Sequence, residues 1–341
     1  MPMNKPVEVL LMVPFSEPLL AKLRRVSPRL NFTVSKARKA SDVSDEIWEQ
    51  VEVLYTHQVL PEPEKAPNLR WIQFHWSGIN HALDAPILQK PDLVATTLSG
   101  ASASQMAEYV VMMLLALGHS LPEMMAAQWR GEWIKEQRDR LKRRELRDST
   151  VGIVGYGSIG RQVARLLTPF GVEILATKRD VMRPEDTGYT PEGWGDPEGE
   201  LVRRLYPHQA LRSMIKECDF VIVTTPLTPE TRDLIGAEEF EAFKPGAFLI
   251  DVSRGGVVNH QALLTALKEK KIAGAALDVF PEEPLPEDSP LWKMPNVIVT
   301  PHIAGTSPFY DARAADLFAE NLHRYLAGLP LYNRINLERG Y

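Results

Sequence analysis

The chain has 341 residues, a net charge of −5, 44% hydrophobic and 24% charged residues, and a single cysteine. The length allows two domains, the composition is that of a globular protein, and the mild acidity excludes the electrostatic footprint of a nucleic-acid binder. One thiol, Cys218, excludes an intrachain disulfide and points to a reducing, cytoplasmic setting.

The opening stretch, MPMNKPVEVLLMVPF, holds a short apolar run that Pro14 closes, with no small-residue cleavage site after it, so a first strand is expected rather than a targeting segment. VEVLYT, LRWIQFH and DLVATT follow before residue 100 as further strand-like runs. Next comes SASQMAEYVVMMLLALGHSLPEMMAAQWRGEW, read as a long apolar helix that Ser102 or Ser104 caps, with Glu108 in its first turn. Its greasiest part, Tyr109 to Leu117, falls far short of the ~20 residues of a membrane span. It is expected to be a core helix or an intersubunit surface, and its methionines (Met106, Met112, Met113, Met124, Met125) suit either.

A second series of apolar runs fills the rest: VGIVG, VEILAT, DFVIVTT, AFLIDVS, AGAALDVF and VIVTPH. Near-continuous apolar strands separated by helical segments indicate parallel sheets buried on both faces. The expected fold is therefore α/β, with two doubly wound parallel-sheet domains. Residues 181–204, VMRPEDTGYTPEGWGDPEGELVRR, break the pattern: Pro and Gly are dense and no hydrophobic period persists, as in a loop insertion with a function or with mobility.

VGIVGYGSIGRQVARLL carries the first chemical motif. Gly155, Gly157 and Gly160 form G-x-G-x-x-G directly after the strand Val151–Val154 and at the start of an amphipathic helix, the context that gives the pattern meaning. The first glycine allows a tight turn, the second lets backbone approach a pyrophosphate, and the third lets helix and strand pack closely. The helix N-terminus favours the anion. Tyr156, Ser158 and Ile159 belong to the same cofactor-binding turn.

About twenty residues beyond such glycines an acidic side chain holds the ribose 2′-OH of NAD. Here VEILAT is followed by Lys178 and Arg179. A carboxylate would repel a 2′-phosphate and this pair would attract it. Charge-assisted hydrogen bonds of about 1.5–3 kcal/mol shift the preference roughly ten- to a hundredfold. NADP(H) is thus the preferred cofactor, with NAD(H) as the alternative in which the pair faces solvent and Asp180 takes the ribose. Arg183, or the insertion that follows, is expected to fold over the adenosine end.

Three later strands end in chemistry. LIDVSRGGVV places Arg254 beyond a strand, LDVFPEEPLP places Glu282 and Glu283 beyond the next, and VIVTPHIAG places His302 beyond the last. In open α/β sheets ligands sit outside the carboxyl ends of the strands. Reduction of a 2-keto acid needs a proton on the carbonyl oxygen, which an imidazole supplies. A carboxylate on the other ring nitrogen fixes the tautomer, and an arginine binds the substrate carboxylate and polarises the carbonyl. No metal is called for.

At these residues the chain resembles the D-2-hydroxyacid dehydrogenases, NAD(P)-dependent oxidoreductases, through GYGSIG, TPLTPETRDLI, LIDVSRGGVV, ALDVFPEEPLP and TPHIAG, from about residue 95 to 305. The resemblance implies Arg254 as the substrate-binding arginine, Glu283 rather than Glu282 as the carboxylate partner, and His302 as acid/base. It implies Asp278 at the nicotinamide carboxamide, with Thr225, Pro226, Ser253 and Met106 lining the cofactor. The loop WSGIN implies substrate-carboxylate contacts at Trp76, Ser77 and Gly78. Asn80 stands where the family usually has Asp and is given no role. The layout it implies is discontinuous: residues 1–101 and 306–341 as the substrate-binding domain and 102–305 as an inserted Rossmann domain. Dimerisation through the long helix after Ser102 is also implied, as a homodimer acting on a small 2-keto or 2-hydroxy acid, with no nucleic acid and no membrane.

Within the wider group, formate and phosphite dehydrogenases carry different surroundings, so Glu283 beside His302 favours a hydroxy acid. The end of the chain at Tyr341, without a further regulatory domain, argues against phosphoglycerate as substrate. So does the aromatic FHWSGIN, which brings no second cation. Glyoxylate, hydroxypyruvate and larger apolar keto acids stay open. The alternative reading is an NAD(P)H-binding regulatory protein or sensor without significant turnover.

Overall fold

A computed structural model describes residues 5–137, 141, 144–337 and 339. Met1–Asn4, Glu338, Gly340 and Tyr341, which the predicted substrate domain includes, lie outside the described residues. The chain divides into two compact units, one of Met1–Ala101 with Ser307–Tyr341, the other of Ser102–Thr306, so the second is inserted into the first.

The first unit is a five-stranded parallel sheet in the order β2-β1-β3-β4-β5, formed by β1 (Val7–Leu11), β2 (Leu30–Val34), β3 (Val53–Thr56), β4 (Trp71–Phe74) and β5 (Val94–Thr96). All four residues of β3 and of β4 are buried, which is what a strand covered on both faces requires. The apolar run of DLVATT supplies β5. The edge strand β2 was not among the predicted elements: of LNFTV only Leu30 is buried, so the stretch carries almost no hydrophobic pattern.

The second unit is a seven-stranded parallel sheet in the order β12-β11-β10-β9-β6-β7-β8. Its strands are β6 (Thr150–Val154), β7 (Glu173–Thr177), β8 (Arg204–Tyr206), β9 (Phe220–Val223), β10 (Phe248–Asp251), β11 (Gly274–Leu277) and β12 (Val297–Val299). Alternation along each strand feeds two cores. Val154, Leu175, Val221, Val223, Leu249 and Leu277 join one; Val151, Ile153, Ile174, Ala176, Ile222 and Ile250 join the other. This is the doubly wound architecture expected. The strand the sequence did not announce, β8, is again an edge, three residues at the end of the 181–204 segment.

The apolar stretch after Ala101 is two helices, not one. Ala103–Gly118 ends at His119, Ser120 takes a left-handed φ of 57°, and Leu121–Trp129 leaves at a bend of 69°. Ser102 occupies the N-cap position, but neither serine caps. The Ser102 hydroxyl lies 3.6 Å from the Met106 sulfur, and Ser104 donates to Glu108 at 3.2 Å from within the helix. Among the described residues no single helix is long and apolar enough to cross a membrane. Cys218 is fully buried; its Sγ donates to the Met214 carbonyl at 3.1 Å, and burial pushes the thiol up to about 12.

Candidate active site

The turn after β6 is built by crowding. Gly155 holds φ at 102°, and a Cβ there would stand 2.6 Å from the Thr225 hydroxyl. A Cβ on Gly160 would stand 2.5 Å from the Gly155 carbonyl oxygen, so helix and strand meet only because that position is bare. Gly157 differs: nothing lies within 4 Å of where its Cβ would be, which leaves a hollow in front of the N-terminus of the helix Ser158–Leu167. A pyrophosphate fits this cradle of backbone, open space and helix terminus. Thr224 and Thr225 tie it down by donating to Gly155 and Val154 carbonyls at 2.7 and 2.8 Å. Thr225 is buried there, and Pro226 is exposed beside it. Ile159 packs partly buried against the core beneath the helix.

Lys178 leaves the end of β7 half-buried. Its ammonium donates to the carbonyls of Arg183 and Glu185, and burial pulls its pKa down, with Arg161 adding to the shift. Arg179 and Asp180 are exposed, and Asp180 lies 3.7 Å from the Arg183 guanidinium.

At the far ends of β10, β11 and β12 the three predicted catalytic side chains stand in one unit. Glu283 places one carboxylate oxygen 2.7 Å from His302 Nδ1 and the other 2.9 Å from the Phe280 N–H. It is Glu283, and not the exposed Glu282, that reaches the imidazole. Burial raises the Glu283 carboxyl, but the His302 hydrogen bond, the Phe280 N–H and the His302 and Arg254 charges outweigh this, and its pKa lies below the usual value. An ionised carboxylate only accepts, so Nδ1 carries the proton and Nε2 is the nitrogen left for chemistry.

His302 has a left-handed φ of 50°, a conformation that costs roughly 1–3 kcal/mol and needs outside support. Asp278 gives it. Its buried carboxylate accepts from the N–H groups of Ile303 and Ala304, both at 2.9 Å, and from the Thr300 hydroxyl at 2.6 Å. The Tyr109 hydroxyl lies 2.6 Å from Thr300, so the helix Ala103–Gly118 joins the same chain of bonds. Met106, on that helix, is buried and borders Gly305. The sequence reading assigned Asp278 to the cofactor and did not foresee its hold on the His302 turn, because the bonds run to backbone N–H groups that leave no mark in sequence.

Arg254 follows β10, with its guanidinium donating 2.7 Å to the Ser253 carbonyl and its pKa drawn down by burial against the opposing pull of Glu283. A Cβ on Gly255 would fall 1.9 Å from the Phe280 carbonyl oxygen, so a bare residue lets the Arg254 turn lie against the turn that leads to Glu283. Beneath it, Ser253 donates to Asp251 from both N–H (3.0 Å) and hydroxyl (2.5 Å). Burial pushes the Asp251 carboxyl up to about 7, against the Ser253 hydrogen bonds and with help from the Asp278 charge.

Trp76, Ser77 and Gly78 belong to the first unit. Trp76 is 47% exposed and its ring sits 5.0 Å from His57 and 5.4 Å from Tyr310, while Ser77 donates to the Leu98 carbonyl at 3.2 Å. His75 beneath them is held neutral, burial and then the His57 charge taking its pKa down to about 3. Among the described residues no group of three or more His, Cys, Asp or Glu side chains is placed to hold a metal ion.

Residues 111–304 match the profile of the D-isomer specific 2-hydroxyacid dehydrogenase NAD binding domain. A D-isomer specific 2-hydroxyacid dehydrogenase from Xanthobacter autotrophicus Py2, solved with NADPH and MES, aligns with a TM-score of 0.79 at 29% identity, covering 99% of this chain and 100% of that one. An NADPH-dependent glyoxylate/hydroxypyruvate reductase from Sinorhizobium meliloti, solved with NADP and sulfate, gives 0.76 at 27% identity with the same coverage. A glyoxylate reductase of Thermofilum pendens is 36% identical over 78% of this chain and 74% of its own length. A D-3-phosphoglycerate dehydrogenase of Methanocaldococcus jannaschii is 34% identical over 80% of this chain, which spans about half (49%) of that relative.

Proposed function

The chain belongs to the family of D-isomer specific 2-hydroxyacid dehydrogenases, and from that premise we propose that it reduces a small 2-keto acid to the D-2-hydroxy acid, reversibly, with NADPH preferred over NADH. The observation that carries the chemistry is the 2.7 Å contact between His302 Nδ1 and an ionised Glu283.

The Gly155–Gly160 turn would hold the pyrophosphate of a dinucleotide, whose nicotinamide would supply the hydride for the carbonyl carbon. His302 holds a proton on Nε2 and gives it to the carbonyl oxygen as negative charge develops there. Glu283 fixes the ring through Nδ1 and stabilises the imidazolium in either direction of turnover. Arg254 binds the substrate carboxylate through its planar donor fork and orients the carbonyl. Trp76, Ser77 and Gly78 keep the substrate-binding role that the family implies for them. Thr225, Pro226, Ser253, Asp278 and Met106 line the cofactor, and Lys178 with Arg179 next to it follows β7 where the adenosine ribose is expected.

NADPH is favoured because the end of β7 carries cations and no ribose-gripping carboxylate before Asp180, and because the Xanthobacter and Sinorhizobium relatives were solved with NADPH or NADP. Glyoxylate and hydroxypyruvate lead the substrate panel, since relatives of both types of name align over most of the chain. The aromatic setting of Trp76 keeps apolar keto acids in that panel. A homodimer is proposed through the two helices after Ser102, whose surroundings leave Met112, Leu121, Met125, Trp129 and Trp133 exposed, the last two above 80%.

Loss of absorbance by NADPH and NADH with a panel of 2-keto acids tests the reading. Turnover with NADPH at a kcat/KM about tenfold or more above NADH, consistent with one charge-assisted hydrogen bond to the 2′-phosphate, is the expected result. Cofactor binding without turnover on any keto acid would reject the enzymatic reading in favour of a sensor.

A further inference from the structure

The helix Ser158–Leu167 is amphipathic, yet part of its polar side is not in water: Arg161 is 1% exposed and Gln162 6%, while Arg165 is exposed. The segment that covers it is the Pro- and Gly-rich stretch between β7 and β8. Arg161 donates to the carbonyls of Asp196 and Pro184, and Arg165 to the carbonyl of Gly195. Gln162 accepts the Gly195 N–H at 2.6 Å. A buried guanidinium is costly unless its donors are used. Here Nη1 and Nη2 are used on main-chain oxygens, while Nε makes no hydrogen bond and has the Asp186 carboxylate 3.6 Å away as its counter-charge.

The same segment is bonded to the phosphate cradle itself. The Asp196 carboxylate, 4% exposed, accepts from the Tyr156 hydroxyl at 2.6 Å and from the Glu200 and Leu201 N–H groups at 3.0 Å. Tyr156 lies between the first two glycines of the turn. At its near end the segment takes two donors of Lys178 onto the Arg183 and Glu185 carbonyls. Lys178 is therefore not a lone cation awaiting a phosphate; it is the hinge-pin of a loop, 179–183, that carries Arg179 and Arg183 exposed.

We infer that residues 181–200 form a strap that sets cofactor selectivity, and that Asp196 is its positioning residue. Docked on Arg161, Gln162 and Tyr156, the strap fixes where Lys178 ends and hence where the Arg179–Arg183 loop stands relative to the Gly155–Gly160 turn. A 2′-phosphate is read by that spacing, and a 2′-hydroxyl is not. The inference rests on the proposed preference for NADPH, and it explains why a loop without any hydrophobic pattern is bonded through a buried arginine.

The test is a pair of variants, Asp196→Ala and Gln162→Met, each compared with the unaltered chain for KM and kcat with NADPH and with NADH at a saturating keto acid, alongside thermal unfolding. The expected result is a rise of about tenfold in KM for NADPH, the scale of one charge-assisted hydrogen bond. KM for NADH and both kcat values should stay within about twofold. Asp196→Asn, which keeps one acceptor oxygen, should fall between. A strap that only holds the fold would lower thermal stability and move both cofactors by the same factor, or neither, and that outcome overturns the inference. Gln162→Met loosens the strap from its other anchor, so a chain that fails to fold as Asp196→Ala still leaves a reading. The unaltered chain reports separately: equal KM for the two cofactors would reject the NADPH preference. The strap would still be judged by whether the NADPH-to-NADH ratio moves on substitution.

Discussion

Glu283 and Asp196 are both carboxylates, both in the second unit, and both accept from a side-chain donor and from backbone N–H groups. Their surroundings differ in two respects that decide what each can do. Glu283 is 35% exposed on its side chain and its side-chain partner is the His302 imidazole, whose Nε2 can take up and release a proton. Asp196 is 4% exposed and its side-chain partner is a phenol whose pKa burial drives further up, so no proton moves between them in the working range. Proton chemistry needs a partner that titrates and solvent that admits the substrate; an anchor needs neither.

The largest effect that would break this contrast is at the imidazole. His302→Ala should lower kcat by about 10²–10⁴-fold, the range of a general acid, while cofactor binding, followed by fluorescence, stays unchanged. Retained turnover would mean that the Glu283–His302 pair is an anchor too.

A third carboxylate sharpens the comparison. Asp251 is buried like Asp196, but its folded pKa is raised to about 7. A raised carboxylate pKa means that the folded state binds more protons than the unfolded one between about pH 4 and 7. Stability should therefore fall as pH rises through that window, by an amount on the order of a few kcal/mol. Asp251→Asn should flatten this slope in a pH series of Tm values; an unchanged slope would remove Asp251 as its source.

Glu283→Gln should lower kcat by about ten- to a hundredfold, less than loss of the imidazole, because orientation is weakened and the acid is kept. With its folded pKa depressed, Glu283 contributes stability above its unfolded pKa and loses it as pH falls through the folded value. The difference in Tm between the variant and the unaltered chain should thus shrink in acid.

The smallest expected effect is at Tyr109→Phe, which removes one neutral hydrogen bond to Thr300. About 1 kcal/mol of support for the His302 turn is lost. A several-fold fall in kcat with KM for the keto acid unchanged is expected, and a change in KM alone would sever Tyr109 from that turn.

The sequence made some of these features legible and hid others for a physical reason. Strands β6, β7, β9, β10, β11 and β12, the glycine turn, and the placement of Arg254, Glu283 and His302 beyond strand ends all rest on side-chain type and spacing. Those signals are local. The strands β2 and β8 escaped because each is an edge, with one buried residue apiece in LNFTV and RLY. The break at Ser120 was missed although Gly118, Ser120 and Pro122 are the residue types that end one helix and start the next. The strap is invisible for a different cause. Its anchors are mostly carbonyl oxygens, which every residue has, and Arg161 and Gln162 fall on the helix side that periodicity assigns to water. Lys178 was legible as a cation and not as a cation already engaged.

Cys218 has a practical consequence. Its thiol is fully buried and pushed up to about 12, so almost none of it is thiolate at neutral pH and alkylating dyes find no target. The native chain is in effect a blank for site-specific labelling. A single cysteine written into an exposed strap position, for example Glu198→Cys, becomes the one attachment point for a fluorophore or spin label without any background substitution. The strap can then be watched directly while each cofactor is titrated in.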